Sequence, residues 1–179
     1  MKARGRALVT IALLAASTSA AAVEIDGWDK TRWGMTPEEV IAVLPGTGIH
    51  RVSEPKIATP RPGEALLRID DLDVAGHKLA VRFLFTWGTH RLNIVNLTLE
   101  REANPLVVEG AFRDLKKALV ETYGPATYRH EDRNEAATSD QISWRLGKTS
   151  VELSLLRFEG SSESLALHYE PREPLEEAR

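Results

Sequence analysis

The stretch QISWRLGKTSVELSLL, residues 141–156, decides the fold class. Ile142, Trp144 and Leu146 alternate with Gln141, Ser143 and Arg145, Gly147-Lys148 turns the chain, and Val151, Leu153 and Leu155 alternate with Glu152, Ser154 and Leu156. A period of two puts apolar side chains on one face and polar ones on the other, as antiparallel strands with one wet face require. Downstream, Glu159-Gly-Ser-Ser turns again, and Leu165, Leu167 and Tyr169 alternate with Ala166 and His168. Three strands of an antiparallel meander result.

Upstream of the meander, Val108, Phe112, Leu115, Leu119 and Tyr123 recur every three or four residues and make one apolar helix face. The spacing predicts a helix over Pro105–Tyr123, capped by Asn104 and stopped by Gly124-Pro125. Gly110 in its interior either permits close packing on a sheet or marks a later helix start. Residues 126–140 read as a long loop.

The same order occurs earlier in the chain. In Trp33-Gly-Met-Thr-Pro-Glu-Glu-Val, Thr36 is an N-cap, Pro37 fits the first helical position and Glu39 completes a capping box. Met35 and Val40 stand at staple positions, and Pro45-Gly46 ends a helix of about two turns. Residues 66–69 and 72–75 read as one extended or broken strand. Leu79, Val81, Phe83 and Phe85 alternate with Ala80, Arg82, Leu84 and Thr86. After the turn at Trp87-Gly-Thr-His, the parity of Leu92 and Ile94 changes to that of Leu97 and Leu99, indicating a bulge or two-sided burial. Residues 47–64, with Pro55, Pro60 and Pro62, read as a second long loop.

Helix then meander, twice over, predicts a two-layer α+β fold: antiparallel sheet with helices packed on one face, reading as a tandem α-βββ repeat. One domain over 23–170 is expected, with halves at 23–103 and 104–170 lying side by side on a shared core, and a charged flexible tail at 171–179.

The Trp33–Val40 helix start resembles the Gly-Met-Thr…Val start of the outer-membrane assembly small lipoprotein fold. The tandem helix-plus-meander plan is similar to the beta-lactamase inhibitor protein fold group. What the resemblance implies is a binding scaffold in the cell envelope. The chain departs from the first group in lacking a lipid-bearing Cys, and from the second in lacking its cysteines.

An address precedes the domain. Lys2, Arg4 and Arg6, an apolar run over 7–16 and the small residues of 17–22 make a secretory signal peptide, cleaved after Ala20 or Ala22. Ten apolar residues are too few for a bilayer helix, which needs about 20. The expected product is periplasmic or secreted and not membrane-spanning once processed. Its loss of three cations makes it more negative than the −3 of the whole chain, which argues against nucleic acid as a partner. The absence of cysteine excludes a disulfide framework, a thiol nucleophile and a zinc–thiolate site.

Catalytic, cofactor and metal motifs are missing. The histidines at 50, 77, 90, 130 and 168 form no His-x-x-x-His pair, and there is no Gly-x-Ser-x-Gly or phosphate loop. Asp70, Asp71 and Asp73 lack the glycine and distal Glu of a calcium loop, and read as a solvated turn. The expectation is no catalytic residue, no cofactor and no metal. Candidate partner-binding residues are Trp28, Trp33 and Trp87, as an aromatic patch or as cover for a helix end, and Arg145, Glu152 and His168 on the wet face of the last meander. Three readings follow. The first is a non-catalytic protein binding an envelope partner through a sheet face or long loops. The second is a carrier of a small apolar ligand held between helices and sheet, and the third a hydrolase assembled from distant His and acidic residues.

Overall fold

The computed structural model describes residues 23–53, 63–99, 104–133, 137–158 and 163–173. The expected leader, residues 54–62 of the first proline-rich segment, the expected turn at 159–162 and the end of the charged tail lie outside the described residues. In chain order the elements are α1 (Pro37–Val43), β1 (His50–Arg51), β2 (Glu64–Val74), β3 (His77–Phe85), β4 (Leu92–Leu99), α2 (Pro105–Tyr123), β5 (Tyr128–Arg133), β6 (Ala137–Leu146), β7 (Thr149–Phe158) and β8 (Ser164–Pro171).

The strands form one antiparallel sheet in the order β1-β2-β3-β4-β8-β7-β6-β5. Each half contributes a meander, and the two meanders join through their last strands. Val95, Asn96, Leu97 and Thr98 of β4 pair with Tyr169, His168, Leu167 and Ala166 of β8. The two halves therefore share one sheet, continuous across an edge-to-edge seam.

Local chemistry explains the helix ends. Thr36 Oγ1 accepts from the Glu39 amide at 3.3 Å, and the Thr36 amide donates to Glu39 Oε2 at 2.8 Å. Asn104 Oδ1 caps α2 through the Leu106 amide at 3.0 Å. At its other end the Trp144 indole donates to the Gly124 carbonyl at 2.9 Å, so a core residue of β6 also satisfies an orphan helix carbonyl.

Both helices bury their apolar stripes on the same face of the sheet. Val40 and Leu44 of α1 and Val108, Leu115 and Leu119 of α2 share one cluster with Phe83, Leu97, Trp144, Leu153 and Leu167. A small second cluster of Ala65, Leu84 and Ile94 lies apart from it. That explains the parity change in β4. The register with β3 shifts between Leu84 and Phe85, so Leu92 joins the main core and Ile94 the small cluster. The alternatives of a bulge and two-sided burial both hold. The register of β2 also shifts between Ile69 and Leu72, which makes its two pieces one irregular strand.

Two expectations need correction. Residues 126–140 are not a loop, because β5 and the start of β6 form a hairpin with six register pairs from Tyr128↔Ser143 to Arg133↔Thr138. All of β5 is exposed and it pairs on one side only, so an edge strand of this kind carries no apolar alternation to reveal it. In the first long segment, His50 and Arg51 pair with Arg68 and Leu67, giving each half a fourth strand. Gly110 is the second correction. The helix begins at Pro105, and a Cβ at Gly110 would meet only the tip of Arg113, at 3.9 Å. Neither close packing nor a late start accounts for it.

Gly110→Ala should therefore raise stability by about 1 kcal/mol, and Thr36→Ala should lower it by about 1 kcal/mol. Urea-unfolding midpoints of the two variants, moving in opposite directions, check both.

Candidate functional site

The pleat of β4 and β8 hands alternate residues to two different surfaces. Away from the helices, register pairs set up a row across the whole sheet: His50, Arg68, Arg82, Asn96, His168, Glu152, Ser143 and Tyr128. A parallel row runs Ala80, Thr98, Ala166, Ser154, Gln141 and His130. Among the described elements no helix packs on this face. Arg68 and Arg82 stand directly opposite each other, a like-charge pairing that costs stability unless relieved. Asp70 Oδ1 accepts a hydrogen bond from Arg68 Nε, and the Arg82 guanidinium donates to Thr98 Oγ1 at 3.5 Å.

The candidate partner-binding residues fall into three places. Arg145, Glu152 and His168 share the face opposite the helices, and Arg145 is exposed there. Trp28 and Trp33 turn inward on the helix side. Trp28 meets the Phe83 ring edge to face, 5.6 Å between centroids. The Trp33 indole donates to Thr149 Oγ1 at 2.9 Å, and that hydroxyl donates to the Ile25 carbonyl at 3.0 Å. These bonds fasten the segment before α1 onto β7. Trp87 is 43% exposed in the β3–β4 turn.

The histidines are likewise dispersed. His77 Nε2 bonds Asp114 Oδ2 at 3.1 Å, tying the start of β3 to α2, and this bond is the largest cause holding the Asp114 carboxyl below its usual range. His90 lies 3.5 Å from Glu64, and His130 stacks on Tyr128. The acidic cluster is not the expected turn but part of β2, and Asp73, next to last in that strand, accepts the Gly76 amide of the turn that follows and pairs with Lys78 at 3.3 Å. Among the described residues no group of three or more His, Asp or Glu is placed to hold a metal ion.

One feature had no sequence signal. On the helix side, a recess of about 350 Å³ opens between α2 and the seam. Leu97 and Leu167 come from the two seam strands, Leu115, Ala118, Leu119 and Thr122 from α2, and Leu72, Val74 and Trp28 from the first half. Its polar groups include two phenols, Tyr123 and Tyr169, 3.5 Å apart. A more polar cavity of about 670 Å³, lined by Glu24, Asp26, Asp29, Lys30 and Arg32, adjoins it at Tyr123 and Asp29. The recess collects residues from 28 to 169, so only the folded chain assembles it.

No family model matches this chain, nor does any curated protein or solved structure.

Burial first, and then the Tyr123 phenol beside it, push the Tyr169 phenol well above its ordinary value. A raised folded-state value means that the neutral phenol stabilises the fold below the unfolded pKa of about 10. That contribution is lost as pH climbs from there toward the folded value. Urea-unfolding free energy should therefore fall more steeply for the wild type than for Tyr169→Phe between pH of about 9.5 and 11.5. Parallel curves for the two proteins would contradict the assignment.

Proposed function

We propose that this chain is an exported, non-catalytic protein that binds another envelope protein through the sheet face opposite its helices. The observation that carries the reading is the polar row running without interruption from His50 to Tyr128 across all eight strands. Strands about 4.8 Å apart make such a face roughly 34 Å wide. Strands of eight to eleven residues at its centre give it a length of about 30 Å. The sheet then spans roughly 1,000 Å² on that side, part of it already covered around Ala65, Leu84 and Ile94, against the roughly 800 Å² per partner that a stable protein interface buries. Arg145, Glu152 and His168 belong to that surface, with Gln141, Ser143 and Ser154 between and beside them.

Further support comes from the leader-like residues 1–22, which fit export to the envelope, and from the resemblance of the helix start and tandem plan to envelope binding scaffolds. Among the described residues no helix is long and apolar enough to cross a membrane. An interface built on sheet-face side chains needs rigid presentation. Here the register fixes each residue of the row except the end residues His50 and Tyr128 between two paired neighbours, so little backbone ordering remains to be done on binding.

Photo-crosslinking in producing cells tests the reading. A benzophenone amino acid at Ser143 or Ser154 should give a discrete adduct with one envelope protein, whereas the same group at Lys117, on the outer side of α2, should not. Adducts only from Lys117, or from none of the three positions, would overturn it. Ser143→Arg should reduce adduct formation from Ser154 without lowering the melting temperature.

A further inference from the structure

We propose that the recess between α2 and the β4–β8 seam binds a small uncharged apolar molecule carrying one hydroxyl or carbonyl oxygen. This goes beyond the sheet-face reading and concerns the other side of the sheet, so either can fail alone.

Size and lining come first. A space of about 350 Å³ falls within the roughly 300–1,000 Å³ of ligand pockets, which favour junctions between structural units. Its walls are mostly aliphatic and aromatic, and the floor residues Leu97, Leu167 and Tyr169 are at most 5% exposed. An apolar recess of this volume left open to water forgoes burial that an apolar guest would restore.

The polar groups define the rest of the ligand. Tyr123 and Tyr169 each carry one O–H, and their mutual contact at 3.5 Å uses one proton. The other proton remains for an acceptor oxygen on the guest. A hydroxyl or carbonyl satisfies it, while an anion moved into this lining would be desolvated beside the phenols and the Asp29 carboxylate, and a cation would meet that carboxylate only at the exposed rim. The mouth selects no net charge either. Lys30 and Arg32 line the adjoining cavity together with Glu24, Asp26 and Asp29, and Asp26 is engaged by Lys148 at 3.4 Å. Opposite signs in nearly equal number leave no field to attract an ion.

The test uses the purified protein and neutral N-phenylnaphthylamine, read by its fluorescence and by energy transfer from Trp28, which lines the recess. Saturable one-to-one binding is expected, with displacement by octanol at least tenfold better than by octanoate or octylamine. Thr122→Trp, at the exposed rim, and Ala118→Phe, on the wall, should each abolish binding while the melting temperature holds. Tyr123→Phe combined with Tyr169→Phe should weaken octanol about five- to tenfold, the loss of one hydrogen bond, because either phenol alone still has an O–H to donate. The proposal is overturned if probe binding does not saturate, if both blocking variants bind normally, or if octanoate or octylamine displaces better than octanol.

Discussion

Four residues of β4 paired with four of β8 hold two meanders together as one sheet. Without that pairing, each half would be a helix and four strands with an apolar edge, Val95 and Leu97 on one side and Leu167 and Tyr169 on the other. A unit of that size buries only about 60% of its unfolded surface and is marginal by itself. Joined, the halves share a single core that runs from Val40 in α1 through Phe83 and Leu153 to Leu119 in α2. No disulfide assists, since the chain has no cysteine. The seam therefore carries the stability of the molecule as well as its shape.

Placing the last strand of each half at the centre also decides what lies at the rims. The outer strands are β1, two residues long, and β5, six residues of which four are Arg, Glu or Asp. A very short edge and a charged edge are the two simplest ways to keep a sheet from pairing with another copy of itself. The charges of β5 thus have a structural reason. The same charges hide the strand from a reading based on alternation, because a strand exposed along its whole length buries nothing.

Much of the fold is legible from local pattern. The stripe from Val108 to Tyr123, the Asn104 and Thr36 caps and the alternation of β7 each depend on residues within one element, and each stands where its spacing puts it. The seam is different. It joins strands some 70 residues apart, and the alternation of β4 suits burial beside any neighbour. Arg157 shows the same limit from the polar side. Its guanidinium reaches Glu109 of α2, Asp140 of β6 and Glu163, and no sequence spacing relates those acids. Of the candidate site, the shared face of Arg145, Glu152 and His168 follows from period two alone. The inward turn of Trp28 and Trp33 depends on Phe83 and Thr149, which lie far along the chain.

The seam also explains why the two surfaces cannot be altered independently. In β8, Leu167 and Tyr169 line the recess while Ala166 and His168 belong to the opposite face, and in β4, Leu97 lines the recess while Asn96 and Thr98 belong to the other side. A slip of β8 by one residue would exchange its two sets, sending Leu167 and Tyr169 into the polar rows and His168 toward the core. The cost of burying an imidazole among leucines without a partner is several kcal/mol, enough to exclude the slipped register. The hydrophobic lining and the polar face are two readouts of one pairing, and that pairing has a single acceptable alignment.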